Sequence, residues 1–143
     1  MDTTALIRQI YQQAKQLGCC ALFKGTEDIE GVVKLFLSPQ GQEFCMKYHF
    51  PNIATLRLFK HYGVEKYGIF IDAGQIVLEN PSRAVLVGRT SATVNCDTNE
   101  RHEVTLFHGA RAIVNAGKWA VVFVKAEPGC LCIKSQNENA LIL

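Results

Sequence analysis

Apolar residues recur at helical spacing through residues 1–66 and alternate in short runs thereafter. Leu6, Ile10, Ala14 and Leu17 form the stripe of a first amphipathic helix, with Asp2 placed to cap it and Gly18 to end it. Thr26, followed by Glu27 and Asp28, puts a cap and two carboxylates at the positive end of a second helix, whose buried side is Ile29, Val32, Val33 and Phe36. Ser38-Pro39 restarts a helix that runs to about Tyr48, serine as cap and proline at the first helical position, where its missing N–H is no loss. Pro51 stops it. Asn52 then caps a fourth helix through Ile53, Leu56, Phe59 and Tyr62, with Gly63 beyond its end.

The pattern changes near Tyr67, and the second part repeats. Four segments superimpose, starting at Ile76, Ala92, Ala112 and Leu131, each with three mainly apolar positions followed by a polar one; their steps are 16, 20 and 19 residues. A second set starts at Ala84, Val104, Ala120 and Ala140, with steps of 20, 16 and 20. Two interleaved strand families with a shared period are what a parallel β-solenoid needs, because each coil must return the chain to the same column one strand spacing higher. The expected architecture is therefore α+β, a helical N-terminal lobe (1–66) packed on a short parallel β-solenoid of about four coils (67–143). An antiparallel β-sandwich or barrel is the alternative. The solenoid is preferred because the repeats align in type, polar under polar. Gly88, Gly109, Gly117 and Gly129 suit the corners of either design.

Composition narrows the class without choosing a function. In 143 residues, 48% are hydrophobic and 20% charged, which excludes disordered and low-complexity chains. Fifteen basic against thirteen acidic side chains leave +2, too balanced to announce a polyanionic partner. No signal peptide and no apolar run of membrane-spanning length is visible, so the expectation is a cytoplasmic protein that does not enter a membrane. The six cysteines (Cys19, Cys20, Cys45, Cys96, Cys130 and Cys132) lie in or beside apolar runs and read as buried free thiols.

Few constellations carry chemistry. Cys45 and His49, four apart on a predicted helix, make half a metal site whose other half is not evident, and Cys130 and Cys132 share a strand face without a C-x-x-C partner. His102 and His108 flank a strand and, with Glu103, would bracket a general-base site in an enzyme; surface and turn histidines are the plainer reading. Asp72, in Ile71-Asp72-Ala73-Gly74, reads as a turn stabiliser. There is no P-loop and no dinucleotide fingerprint. No metal or cofactor is expected.

The stretch Phe44-Cys45-Met46-Lys47-Tyr48-His49-Phe50, Pro51-Asn52, Thr55-Leu56-Arg57-Leu58-Phe59-Lys60-His61-Tyr62-Gly63 resembles the helix-turn-helix of bacterial transposases and regulators. That resemblance implies Asn52, Ala54, Thr55, Arg57 and Lys60 as base or phosphate contacts. It covers about 20 of the 143 residues, and it departs from the pattern in its turn proline and its few basic groups. Through Phe23-x-Gly25, Ser38-Pro39-x-Gly41-x-Glu43-Phe44-Cys45, Ile71-Asp72-Ala73-Gly74 and His108-Gly109-Ala110, the chain is also similar to small proteins of gut Bacteroidetes genomes and their mobile elements. This second likeness implies a source and a shared fold, and no activity.

The expected function is a non-enzymatic binding or assembly module for a protein partner. Its outward column would be Glu79, Asn95, Asn115 and Lys134, and its apolar tail Ala140-Leu141-Ile142-Leu143 would pair with a second copy to form a dimer. DNA binding through Asn52, Thr55, Arg57 and Lys60 is the first alternative, and a Cys/His-based enzyme the second.

Overall fold

The computed structural model describes residues 2–18, 22–137 and 139–143; Cys19 and Cys20 lie outside the described residues. The chain divides into two compact units, Met1–Thr55 and Leu56–Leu143.

The first unit contains α1 (Thr3–Gln16), α2 (Ile29–Leu37), α3 (Pro39–Tyr48) and the start of α4 (Ile53–Phe59). The Asp2 carboxylate accepts the Ala5 N–H at 2.7 Å and caps α1, whose buried side is Leu6, Ile7, Ile10 and Ala14. Leu17, expected in that stripe, is the C-cap residue and is exposed. Asp28 caps α2, accepting the Gly31 N–H at 2.8 Å, in place of the expected Thr26. The helix begins two residues later than expected, because the carboxylate adjoining Ile29 reaches the free N–H groups of the first turn. Ser38 serves two helices at once. Its hydroxyl donates to Leu35 O at the end of α2 (2.6 Å) and accepts the Gly41 N–H at the start of α3 (3.1 Å). The tight passage brings Gly41 against the Leu35 carbonyl, where a Cβ would collide with backbone.

In the second unit α4 ends at Phe59 and the chain continues in two 3₁₀ turns, Lys60–Tyr62 and Val64–Tyr67, with Gly63 and Gly68 both at positive φ. Among the described residues nine strands follow: β1 (Ile69–Ile71), β2 (Gly74–Glu79), β3 (Arg83–Val87), β4 (Thr90–Cys96), β5 (Arg101–Phe107), β6 (Arg111–Ala116), β7 (Val121–Ala126), β8 (Leu131–Gln136) and β9 (Leu141–Ile142). Odd strands form one sheet in the order β1-β3-β5-β7-β9 and even strands the other, β2-β4-β6-β8; every neighbouring pair is parallel. That is a two-sheet β-solenoid of about four coils, and the antiparallel alternative is excluded. The protein is α+β, with a helical N-terminal lobe and a C-terminal solenoid.

Each coil contributes an inward row from each sheet. Ala84, Leu86, Val104, Leu106 and Val122 from the odd sheet and Ala92, Val94, Ala112, Val114 and Ala116 from the even sheet belong to one buried cluster. Each fully buried Val or Leu contributes about 1.5–3 kcal/mol, so the stacked rows hold the coils together. The corners after β1, β3 and β5 use the left-handed region, at Asp72 (φ 48°), Gly88 (φ 67°) and His108 (φ 55°), which are equivalent positions in successive coils.

The register departs from the sequence alignment in two places. Val104 pairs with Val124, so the expected match to Ala120 is four residues out. A slip of four preserves the inward-outward alternation, so apolar pattern cannot detect it. Ala112 pairs with Cys132 rather than Leu131, a slip of one that exchanges the faces of β8.

Candidate functional site

The two outer faces of the solenoid differ in exposure. On the odd sheet Ile69, Ile71, Val85, Val87, Thr105 and Phe107 point outward and are all buried. On the even sheet the outward positions face solvent across all four strands, and they form three columns.

The first column is polar. Glu79, Asn95 and Asn115 are register partners in β2, β4 and β6, and their side chains are bonded in series. Asn115 Nδ2 donates to Asn95 Oδ1 at 3.0 Å, and Asn95 Nδ2 donates to Glu79 Oε1 at 3.0 Å. Lys134, expected as the fourth member, pairs instead with Val114, in an inward row; Ser135 takes the outward place beside Asn115. The one-residue slip in β8 is the cause, and it turns Leu131 and Ile133 outward. The second column is Val77, Thr93, Ile113 and Ile133, with Val77 64% exposed, Ile113 43% and Ile133 54%. Leu131, half exposed, adjoins it on β8. The third column, Gln75, Ser91, Arg111 and Leu131, runs to the corner beside Gly74.

The tail is strand β9. It pairs with β7, Leu141 opposite Val121 and Ile142 opposite Val122, and Leu143 exchanges backbone hydrogen bonds with Val122 and Val124. Ala140 and Ile142 are buried, while Leu141 and Leu143 are exposed.

His102 and His108, the pair expected to bracket a site, do not converge. His102 is fully buried on the inward side of β5, its Nδ1 2.8 Å from Pro81 O and its Nε2 3.3 Å from Thr98 Oγ1. A carbonyl only accepts, so Nδ1 carries the hydrogen. Thr98 and Asp97 in turn meet the Asn80 side chain, which ties two successive corners to β5 through His102. Glu103, next along the strand, points to the opposite face and holds Arg83 at 3.1 Å and Arg101 at 2.9 Å. Burial raises the Glu103 carboxyl, but the bonds and charges of Arg83 and Arg101 outweigh it and hold the group below its ordinary value. His108 lies six residues from His102, about 20 Å along an extended strand. In the first unit, Cys45 is buried on α3, whereas His49 is the left-handed C-cap beyond the last turn, so the two share no helix face. Cys96, Cys130 and Cys132 are free thiols, all raised in pKa chiefly by burial.

The residues singled out for DNA contact have structural partners. Asn52 accepts the Thr55 N–H at 2.8 Å, and Thr55 is buried. Arg57 Nε bonds Asp72 Oδ2 at 2.6 Å, and Lys60 Nζ donates to the Asp72 carbonyl at 2.9 Å. Asp72 also accepts the Arg89 N–H at 2.8 Å. The carboxylate expected to stabilise its own turn thus clamps the corner of the next coil.

Sequence reasoning missed the aliphatic column, and it missed Arg89 and Arg111, which gather with Arg57 at this corner. Ile113 and Ile133 stand one coil apart, a signal the correct register would have exposed; Arg57, Arg89 and Arg111 have no shared motif. The fold and its surfaces define a class, a helical segment followed by a two-sheet parallel β-solenoid whose even sheet faces solvent across all four strands. No protein-family profile matches the chain, and neither a curated protein nor a solved structure does.

Proposed function

We propose that the protein is a non-enzymatic assembly module that pairs with a second copy of itself through the exposed outer face of its even-strand sheet. The observation that carries this reading is the column Val77, Thr93, Ile113 and Ile133, an aliphatic stripe on a rigid parallel sheet, flanked by amides already bonded to one another. A preordered surface loses little side-chain entropy on binding. Non-catalytic action is supported by the separation of His102, Glu103 and His108, each committed to a different part of the coil.

The size of the face sets the strength of the contact. Four strands at about 4.8 Å and six residues at about 3.3 Å span roughly 400 Å², half the usual 800 Å² per partner. The pairing is therefore transient, with a dissociation constant in the micromolar range or weaker.

Leu141 and Leu143, exposed on the outward side of β9, favour a second reading, in which the tail makes the self-contact. Sedimentation equilibrium separates the two. Concentration-dependent dimerisation abolished by Ile113→Glu with Ile133→Glu, and retained by Leu141→Glu, supports the sheet-face reading. The reverse pattern assigns the contact to the tail. A monomer up to several hundred micromolar overturns both.

A further inference from the structure

We propose that the corner between the two sheets is a binding site for the phosphomonoester group of a small ligand. A cavity of about 540 Å³ opens there, lined by Arg57, Arg89, Arg111, His108, Gln75 and Ser91. Its volume is that of a small-molecule site and exceeds what a bare phosphate fills. All its walls belong to the solenoid unit and the adjoining end of α4.

Three arginines line one concave space, and no acidic side chain is among its described lining residues. Asp72, close by, is already engaged: one oxygen holds Arg57 Nε and the other accepts the Arg89 N–H. That contact fixes the Arg57 stem while leaving its terminal nitrogens as donors. The Arg89 and Arg111 guanidiniums have no hydrogen-bond or ion-pair partner among the described residues. Mutual repulsion among the three cations is offset by one carboxylate, so the site gains by taking an anion.

The number and kind of donors select the anion. A carboxylate offers two oxygens, which a single guanidinium satisfies as a fork; three guanidiniums approaching from α4, the β3–β4 corner and β6 match a tetrahedral dianion with three free oxygens. Gln75 and Ser91, outward on β2 and β4, add neutral donors toward the remainder of the ligand. This inference does not rest on the sheet-face contact, and either can fail alone.

The test is a titration of the full chain with inorganic phosphate at constant ionic strength, followed by amide chemical shifts, with sodium acetate and sodium chloride as controls. Phosphate is expected to give saturable shifts at Gly74, Ser91 and Gly109 that acetate and chloride do not. Arg89→Gln and Arg111→Gln each weaken binding about tenfold, the usual loss for one charge-assisted hydrogen bond. Unchanged shifts elsewhere certify that each variant is folded. Linear, non-saturating phosphate shifts, or affinity retained in the double variant, overturn the proposal. Retention on duplex DNA lost in the same variants, without saturable phosphate binding, also overturns it and assigns the arginines to a polymer backbone.

Discussion

Asn115 donates its amide to Asn95 at 3.0 Å across two strands whose equivalent residues are 20 positions apart, and Asn95 passes the pattern on to Glu79. The central amide is both donor and acceptor, so the three residues are not equivalent. Asn95→Ala breaks two bonds and Asn115→Ala one. With roughly 1 kcal/mol for the part-buried amide pair and less for the exposed bond to Glu79, Asn95→Ala is expected to destabilise the solenoid by about 1–2 kcal/mol, and Asn115→Ala by less. Urea unfolding of the two variants measures the order. Equal losses would mean that the column is held by packing alone.

Acid should loosen the corner at Asp72. Burial pushes this carboxyl up, but the Arg57 hydrogen bond, the Arg89 N–H and the charges of Arg57 and Lys60 outweigh that and hold it below its ordinary value of 3.8. A carboxyl depressed in the folded state adds stability above its unfolded pKa and loses it as pH falls through the folded one. Wild-type protein should therefore exceed Asp72→Asn in urea midpoint at pH 7, and the gap should close below about pH 4. A gap independent of pH would show that the carboxylate charge plays no part.

Cys96 should resist modification in the native protein. Burial first, then the Asp97 and Glu79 charges, push its thiol from 9.0 up to about 11, which lowers the thiolate fraction at pH 8 by about a hundredfold. Iodoacetamide labelling with peptide mapping should find Cys96 unmodified in buffer and modified in urea. Labelling in buffer at the rate of an exposed thiol would contradict its place on the inner row of β4.

What could be read in advance follows the range of the forces involved. Helix starts were visible because a cap acts over three residues: Asp2, Ser38 and Asn52 each bond an N–H three positions on. The error at the second helix was local too, since Thr26 and Asp28 are both competent caps and only the closed turn chooses. His102 looked like a surface histidine because nothing nearby in sequence announces Pro81 O, 21 residues away, as its partner. The corner arginines come from α4, a turn and β6, and no linear pattern joins them.

The sequence by itself determined the helical beginning and favoured parallel coils over an antiparallel sandwich, because capping, amphipathic spacing and repetition are properties of neighbouring residues or of like residues at similar steps. Only the tertiary structure decided the register of β7 and β8, and with it which side chains face out. It moved Lys134 to an inward row and set Ile133 beside Ile113. The physical reason is that pairing between coils is settled by where each corner turns: the Glu127–Cys130 turn sets Leu131 N–H against Ala110 O and so fixes the register of β8.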